Sequence, residues 1–360
     1  PWFAGKNPPM PLPSLRRFAS TALLLALSLT LAHQAAAELV WTPQTGWKFE
    51  GGVFDGTSAV GPSSETKGAL VLMNRARAAE ERQKNGRAAR LYKKVTKKYP
   101  HSVYAAEAAY RLGNMRLLRR QYGKAFDAYQ LVATRYPSSS RFDEIIGKQY
   151  QIATALLDGA HTRYWGWLPG FTNREKGVED LEVVISEAPY SDYAPIALMC
   201  VAKGHERFRE TEEAIDALDR LVNTYPQSVL AIDAYLEHGR THASLVEGPY
   251  YDQGSTRDAI TYYEDFMILY PSDNNVGTAE KGLIQMKRIL AESKVKIADF
   301  YFKRRDNYKA AKVFYNEAIT VYPDSDIATK ARARLVEVDA AAEKAAEAAK
   351  HPKKKWFYFF

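Results

Sequence analysis

Six copies of one short pattern, each carrying a Pro, constrain what this 360-residue chain can fold into. They are Tyr99-Pro100-His101-Ser102, Tyr136-Pro137-Ser138-Ser139, Ala188-Pro189-Tyr190-Ser191, Tyr225-Pro226-Gln227-Ser228, Tyr270-Pro271-Ser272-Asp273 and Tyr322-Pro323-Asp324-Ser325. The prolines stand 37, 52, 37, 45 and 52 residues apart. Recurrence at that scale marks a stack of supersecondary units. Counting back 12 residues from each Pro gives Ala88, Ala125, Gly177, Ala214, Ala259 and Ala311, all small. Counting back 8 gives Tyr92, Tyr129, Leu181, Leu218, Tyr263 and Tyr315, all large. Counting back 5 gives Val95, Val132, Val184, Leu221, Phe266 and Ala318. Offsets of three and four place the columns on one helix face. The small residue admits a neighbouring helix, the large one fills the groove, and Pro ends the helix by forcing its predecessor out of the helical region. Ser or Asp two residues after the Pro is expected to cap the next helix.

This order of small, large, small-or-branched and Pro resembles the second helix of a tetratricopeptide repeat. Leu112-Gly113, with Gly113 standing 24 residues before Pro137, matches that family's first helix. The resemblance implies an all-α, right-handed solenoid of about six helix-turn-helix units, which merges into one elongated body.

The expected organisation has five parts. Residues 1–37 read as a signal-peptide region. Met10 is the expected start, Arg16-Arg17 precede an apolar run from Phe18 to Ala32, and Ala35-Ala36-Ala37 offers a cleavage site before Glu38. No later run reaches the roughly 20 apolar residues of a membrane span, so the exported protein is expected to be soluble. Residues 38–66 hold Trp41, Trp47, Phe49 and Phe54 among Gly, Pro, Thr and Ser, and read as an irregular arm that packs on the first repeat or on a partner. Residues 67–177 read as N-terminal repeats and 178–335 as a second block. Within it, Ile289 to Tyr308 reads as a long helix. Residues 336–360 form an Ala/Glu/Lys-rich helix and a tail containing Lys353, Lys354 and Lys355 before five aromatic residues. The tail reads either as a frayed terminus or as an anchor to an anionic membrane surface.

Charge excludes one class of partner. Without Lys6, Arg16 and Arg17 the formal +8 falls to +5, and Lys353–Lys355 supply another +3 of that. The repeat body is nearly balanced, which argues against nucleic-acid binding. Cys200 is the single cysteine and lies in an apolar helical run, so it reads as a buried small hydrophobe. No Cys lies near the expected cleavage site, so no lipid-attachment sequence is expected there. His238 and His242 share a helix face, but the acid Glu237 precedes the first His and no third ligand is evident. Glu80-Glu81 and Glu212-Glu213 read as solvated pairs. With no phosphate loop or nucleophile elbow, no catalytic activity, cofactor or metal is expected.

Two insertions interrupt the repeats. One spans about Asp158 to Lys176 and carries Tyr164, Trp165 and Trp167. The other spans about Val246 to Thr256 and carries Tyr250 and Tyr251. Insertions in repeat arrays become loops on one face, which often binds. These five aromatics are the candidate partner-binding residues, against the alternative that they seal a gap between repeats.

The second block resembles a narrower family. The runs Asp233-Ala-Tyr-Leu-Glu-His-Gly-Arg-Thr-His-Ala-Ser-Leu245 and Ser255 to Pro271 carry the resemblance. So do Arg288-Ile-Leu-Ala-Glu, Ala298-Asp-Phe-Tyr301 and Lys303-Arg304, followed by Tyr322-Pro-Asp-Ser325. With the spacings 37, 45 and 52, they are similar to BamD, the tetratricopeptide component of outer-membrane β-barrel assembly (the YfiO family). The resemblance covers about residues 178–335. It implies a periplasmic, non-catalytic scaffold, peripheral to the outer membrane, that binds the barrel-inserting partner and unfolded barrel precursors. Two departures stand out: the family is lipidated at an N-terminal Cys, and this chain has two additional repeats. A periplasmic adaptor for cell division or peptidoglycan-linked processes is the alternative for the same fold.

Overall fold

A computed structural model describes residues 38–42, 44, 46–50, 64–165 and 167–350. The expected signal peptide and the basic-aromatic tail with Lys353, Lys354 and Lys355 lie outside the described residues. Two compact units divide between Arg119 and Arg120.

The first unit opens on a hairpin, β1 (Glu38–Thr42) with β2 (Gly46–Glu50), followed by α1 (Ser64–Glu81), α2 (Asn85–Lys98) and α3 (Ala105–Leu117). The antiparallel register pairs Trp41 with Trp47 and Thr42 with Gly46. The start of the arm is therefore a hairpin, where an irregular segment was expected. Gly46 takes φ +70 at the turn, a conformation most residues avoid. Trp47 is buried, and its backbone N–H donates to Asn74 Oδ1 at 3.2 Å. The guanidinium of Arg77 lies 4.4 Å from the Trp41 ring centre and that of Arg111 5.1 Å from Trp47, so these two aromatics pack on the first repeat. Glu80, expected in solvent with Glu81, sits instead at a shielded polar junction. It receives Arg77 at 3.0 Å, Arg111 at 3.2 Å and the Tyr92 hydroxyl at 2.7 Å. Burial and that carboxylate push the Tyr92 hydroxyl pKa upward. Lys93, Lys94, Lys97 and Lys98 face solvent.

The second unit holds α4 (Tyr122–Arg135), α5 (Phe142–Leu157), α6 (Arg174–Glu187), α7 (Tyr193–Phe208), α8 (Thr211–Thr224), α9 (Leu230–Ser244), α10 (Gly254–Leu269), α11 (Val276–Arg305), α12 (Tyr308–Val321) and α13 (Asp326–Lys350). A two-residue hairpin, β3 (Arg163–Tyr164) with β4 (Leu168–Pro169), lies between α5 and α6. Each helix packs on the next, and α4 on α6, α5 on α7, α7 on α9, α9 on α11 and α11 on α13. Contacts with the next helix and the next but one are the pattern of a tetratricopeptide solenoid, in which each unit touches only its neighbours. The expected helix Ile289 to Tyr308 overlaps a longer one that ends three residues earlier than expected, with Tyr308 opening the next helix. It starts at Val276 and stops at Arg305, where Asp306 turns left-handed (φ 46) and Asn307 caps α12 by accepting from Ala310 N at 3.1 Å.

The repeat columns form the core. All eighteen residues of the three columns are buried. The residue before each Pro leaves the helix, with φ between −125 and −143 and ψ between 52 and 77. At Gly177 the backbones approach so closely that a Cβ would lie 2.5 Å from Leu157 N and 2.8 Å from Ala153 O. Tyr263 is wedged between glycines on two neighbours: a Cβ on Gly239 would meet its ring at 2.8 Å and one on Gly282 at 2.6 Å. Cys200 is only half-buried, at the edge of this core, with Sγ 3.7 Å from the Tyr150 hydroxyl.

Capping follows the expectation in part. Asp273 Oδ1 accepts from Asn275 N at 2.7 Å and Ser228 Oγ from Leu230 N at 3.3 Å. At five turns the backbone carbonyl of the Ser or Asp also accepts from the residue three on, as Ser102 O does from Ala105 N at 2.9 Å. Only Ser325 adjoins its helix directly, and its Oγ accepts from Ala328 N at 3.0 Å. Ser325→Ala is therefore expected to cost about 1 kcal/mol. Ser102→Ala, whose Oγ has no hydrogen-bond partner, is expected to cost close to nothing. Urea unfolding midpoints of the two variants check this.

Candidate functional site

The two insertions present the candidate aromatics. The first is built on the β3–β4 hairpin, in which Arg163 pairs with Pro169 and Tyr164 with Leu168. Its base is pinned by backbone bonds from Gly170 N to Thr162 O at 2.7 Å and from Arg163 N to Arg120 O at 2.9 Å. At the tip Trp165 takes φ +50, and Trp167 N donates to Tyr164 O at 3.2 Å. This turn sets the two indoles nearly parallel, 6.5 Å apart and inclined by 27°. Trp165 is 65% exposed, Trp167 69% and Phe171 86%, and Tyr164 is also exposed. The aromatics of this loop therefore do not seal a gap between repeats. Phe171 was not singled out from the sequence. It belongs with them because residues 159–174 contain no acid, only His161, Arg163 and Arg174 among ionisable side chains other than Tyr164.

The second insertion joins α9 to α10. Tyr250 and Tyr251 are exposed, and Lys296 Nζ stands 3.1 Å from the Tyr250 ring centre. The loop is held by Gln253, whose Nε2 donates to Gly248 O and Tyr251 O, each at 2.9 Å. Unlike the first loop, it carries acids, Glu247 and Asp252. Both loops connect the first helix of a pair to the second, the position from which insertions in a repeat array are expected to share a face.

His238 and His242 form a different kind of group. His238, 1% exposed, stacks on Tyr262 with ring centres 3.6 Å apart, and His242 stacks on His238 at 5.0 Å. Tyr262 donates to Asp219 at 3.3 Å, and its hydroxyl pKa is pushed up to about 12 by burial and that carboxylate. Burial first, and the neighbouring His242 second, pull His238 down to about 4. Asp219 at 4.0 Å and Asp258, 3.9 Å from His242, oppose these shifts only weakly. The rings act as packing plates between α8, α9 and α10. Among the described residues no three His, Cys, Asp or Glu side chains gather as metal ligands would, and no helix is long and apolar enough to cross a membrane.

Comparison with known proteins gives two family matches. A model described as outer membrane lipoprotein (YfiO) matches residues 172–355, and one described as tetratricopeptide repeat matches residues 73–140. The chain is similar to several solved structures at low identity. One is MamA from Desulfovibrio magneticus RS-1, at 14% identity over 59% of this chain and 99% of that one, with a TM-score of 0.29. Another is the C-terminal part of a tetratricopeptide-repeat protein from Cytophaga hutchinsonii, at 17% identity over 73% and 87%, with a TM-score of 0.31. A third is pilF of Pseudomonas aeruginosa, at 12% identity over 75% and 99%, with a TM-score of 0.27. No curated protein matches the chain.

Proposed function

We infer a role in outer-membrane assembly from one premise: the chain belongs to the YfiO family of outer membrane lipoproteins. That membership, with the tetratricopeptide fold, makes it a protein-interaction scaffold of the cell envelope. The finer reading is a non-catalytic periplasmic scaffold of the barrel-assembly machinery, exported by a cleaved signal peptide. It holds the barrel-inserting partner and receives unfolded barrel precursors. The observation that carries this reading is the family match over residues 172–355, which takes in eight of the helices of the second unit and the α9–α10 insertion. Partner contact is assigned to the exposed Tyr250 and Tyr251 of that insertion, which lies inside the family segment. Tyrosine suits such a role because it presents large area at little entropic cost.

The test is photo-crosslinking in cells from a crosslinking amino acid at position 250 or 251. The expected product is an adduct with the barrel-inserting protein or with a barrel precursor. Adducts only with septal or peptidoglycan-associated proteins would contradict the assignment.

A further inference from the structure

Residues 141–171 fall between the two family matches, so the β3–β4 hairpin belongs to neither. We propose that this hairpin is a lipid-surface contact: Trp165, Trp167 and Phe171 enter the headgroup region of an anionic bilayer, with Arg163 and Arg174 against lipid phosphates. The proposal rests on the envelope location read from the family, and goes beyond the protein contacts assigned to the Tyr250 loop.

Three observations favour lipid over a protein partner. The first is composition. Tryptophan and tyrosine concentrate where a membrane meets water because each ring has an apolar body and a polar edge. Three such rings, Tyr164, Trp165 and Trp167, and the apolar Leu168 and Phe171 occur within eight residues here. The second is charge. From Gly159 to Arg174 the loop holds Arg163 and Arg174 and no carboxylate. The acid just before it, Asp158, is paired with Arg207 at 3.4 Å. Arg163 and Arg174 are exposed, so an anionic surface meets positive charge without repulsion. The Tyr250 loop, with Glu247 and Asp252, lacks this complementarity. The third is shape. The indoles stand on a short hairpin fixed by backbone bonds at its base, so they are presented outward with little ordering left to lose. A hairpin this short has almost no ladder edge to offer an extended peptide.

The test uses the full chain and vesicles with about a third anionic phospholipid, brominated on the acyl chains, against vesicles of neutral lipid. The readout is tryptophan fluorescence, compared between the native chain and a Trp165→Tyr/Trp167→Tyr variant. The difference isolates the two indoles whatever else holds the chain to the membrane. Brominated anionic vesicles are expected to quench the emission that the variant lacks, and neutral vesicles to quench it several-fold less. A Trp165→Ser/Trp167→Ser/Phe171→Ser variant, altered only at exposed positions, is expected to bind anionic vesicles roughly tenfold more weakly. The proposal is overturned if vesicle-bound chain keeps that emission unquenched, or if the chain does not bind anionic vesicles. It is also overturned if the serine variant binds them as tightly as the native chain while losing a protein partner. Crosslinking from positions 250 and 251 is read separately, so failure of the protein-partner reading leaves these outcomes intact.

Discussion

Gly177→Val is expected to destabilise the second unit by roughly 3 kcal/mol or more, and Gly177→Ala by about 1–3 kcal/mol. The repeat pattern alone points the other way. Five of the six columns at this position carry Ala, and Ala favours a helix interior over Gly by about 1 kcal/mol. The geometry decides between them. A Cβ on Gly177 would lie 2.5 Å from Leu157 N and 2.9 Å from Leu157 Cα, and these are backbone atoms that cannot swing aside. The α5–α6 pair would have to open, which would loosen the packing of Leu181 and Ile185 in the core shared with α7. Val adds two methyl groups to the same collision. Urea unfolding of Gly177→Ala checks this, and an unchanged or raised midpoint would show that the pair relaxes freely.

Acid should weaken the fold through His238. In the unfolded chain this imidazole titrates near 6.5, while in the folded chain burial beside His242 holds it at about 4. The folded state therefore binds fewer protons between those values. Its contribution is present in full above the unfolded value and is lost as pH falls toward 4. The expected loss from about pH 7.5 to about pH 5 is roughly 2 kcal/mol. The groups facing the ring are Asp219 on α8, Tyr262 on α10 and His242 on its own helix, and His242 in turn has Asp258 of α10 at 3.9 Å. Asp180 works in the opposite direction. Burial pushes its carboxyl up to about 6, against Lys176 at 3.0 Å, so protonating it favours the fold below that pH. His242, also pulled down by burial, adds to the loss, so the native chain alone reports a sum of these groups. His238→Phe keeps the stacking ring and cannot protonate. Its unfolding free energy relative to the native chain is expected to improve by about 2 kcal/mol between the two pH values. A difference that stays constant with pH would contradict the account.

The repeat frame was legible because it is local. A helix face with period near 3.6 and a Pro that breaks the chain both act within a dozen residues, and all three columns are buried as read. Features that depend on residues far apart were not legible. Nothing near Tyr263 in the chain announces the glycines at 239 and 282 that admit its ring. His238 and His242 were visibly on one face, but the plate that stacks on them, Tyr262, comes from the next helix. The hairpin at Glu38–Glu50 escaped because two five-residue strands rich in aromatics look like an arm until the register pairs Trp41 with Trp47. Of the candidate surface, the aromatic content of both insertions was readable, while the stacked indoles and the clamp of Lys296 on Tyr250 follow from geometry alone.

The central claim, a scaffold serving outer-membrane barrel assembly, is tested most directly by depleting the protein in its host and measuring folded β-barrel proteins in the outer membrane. The account predicts that folded barrels fall together across unrelated barrel types while their unfolded precursors accumulate in the periplasm. Unchanged barrel levels, with a defect confined to septation or peptidoglycan, would contradict it and favour the adaptor role instead.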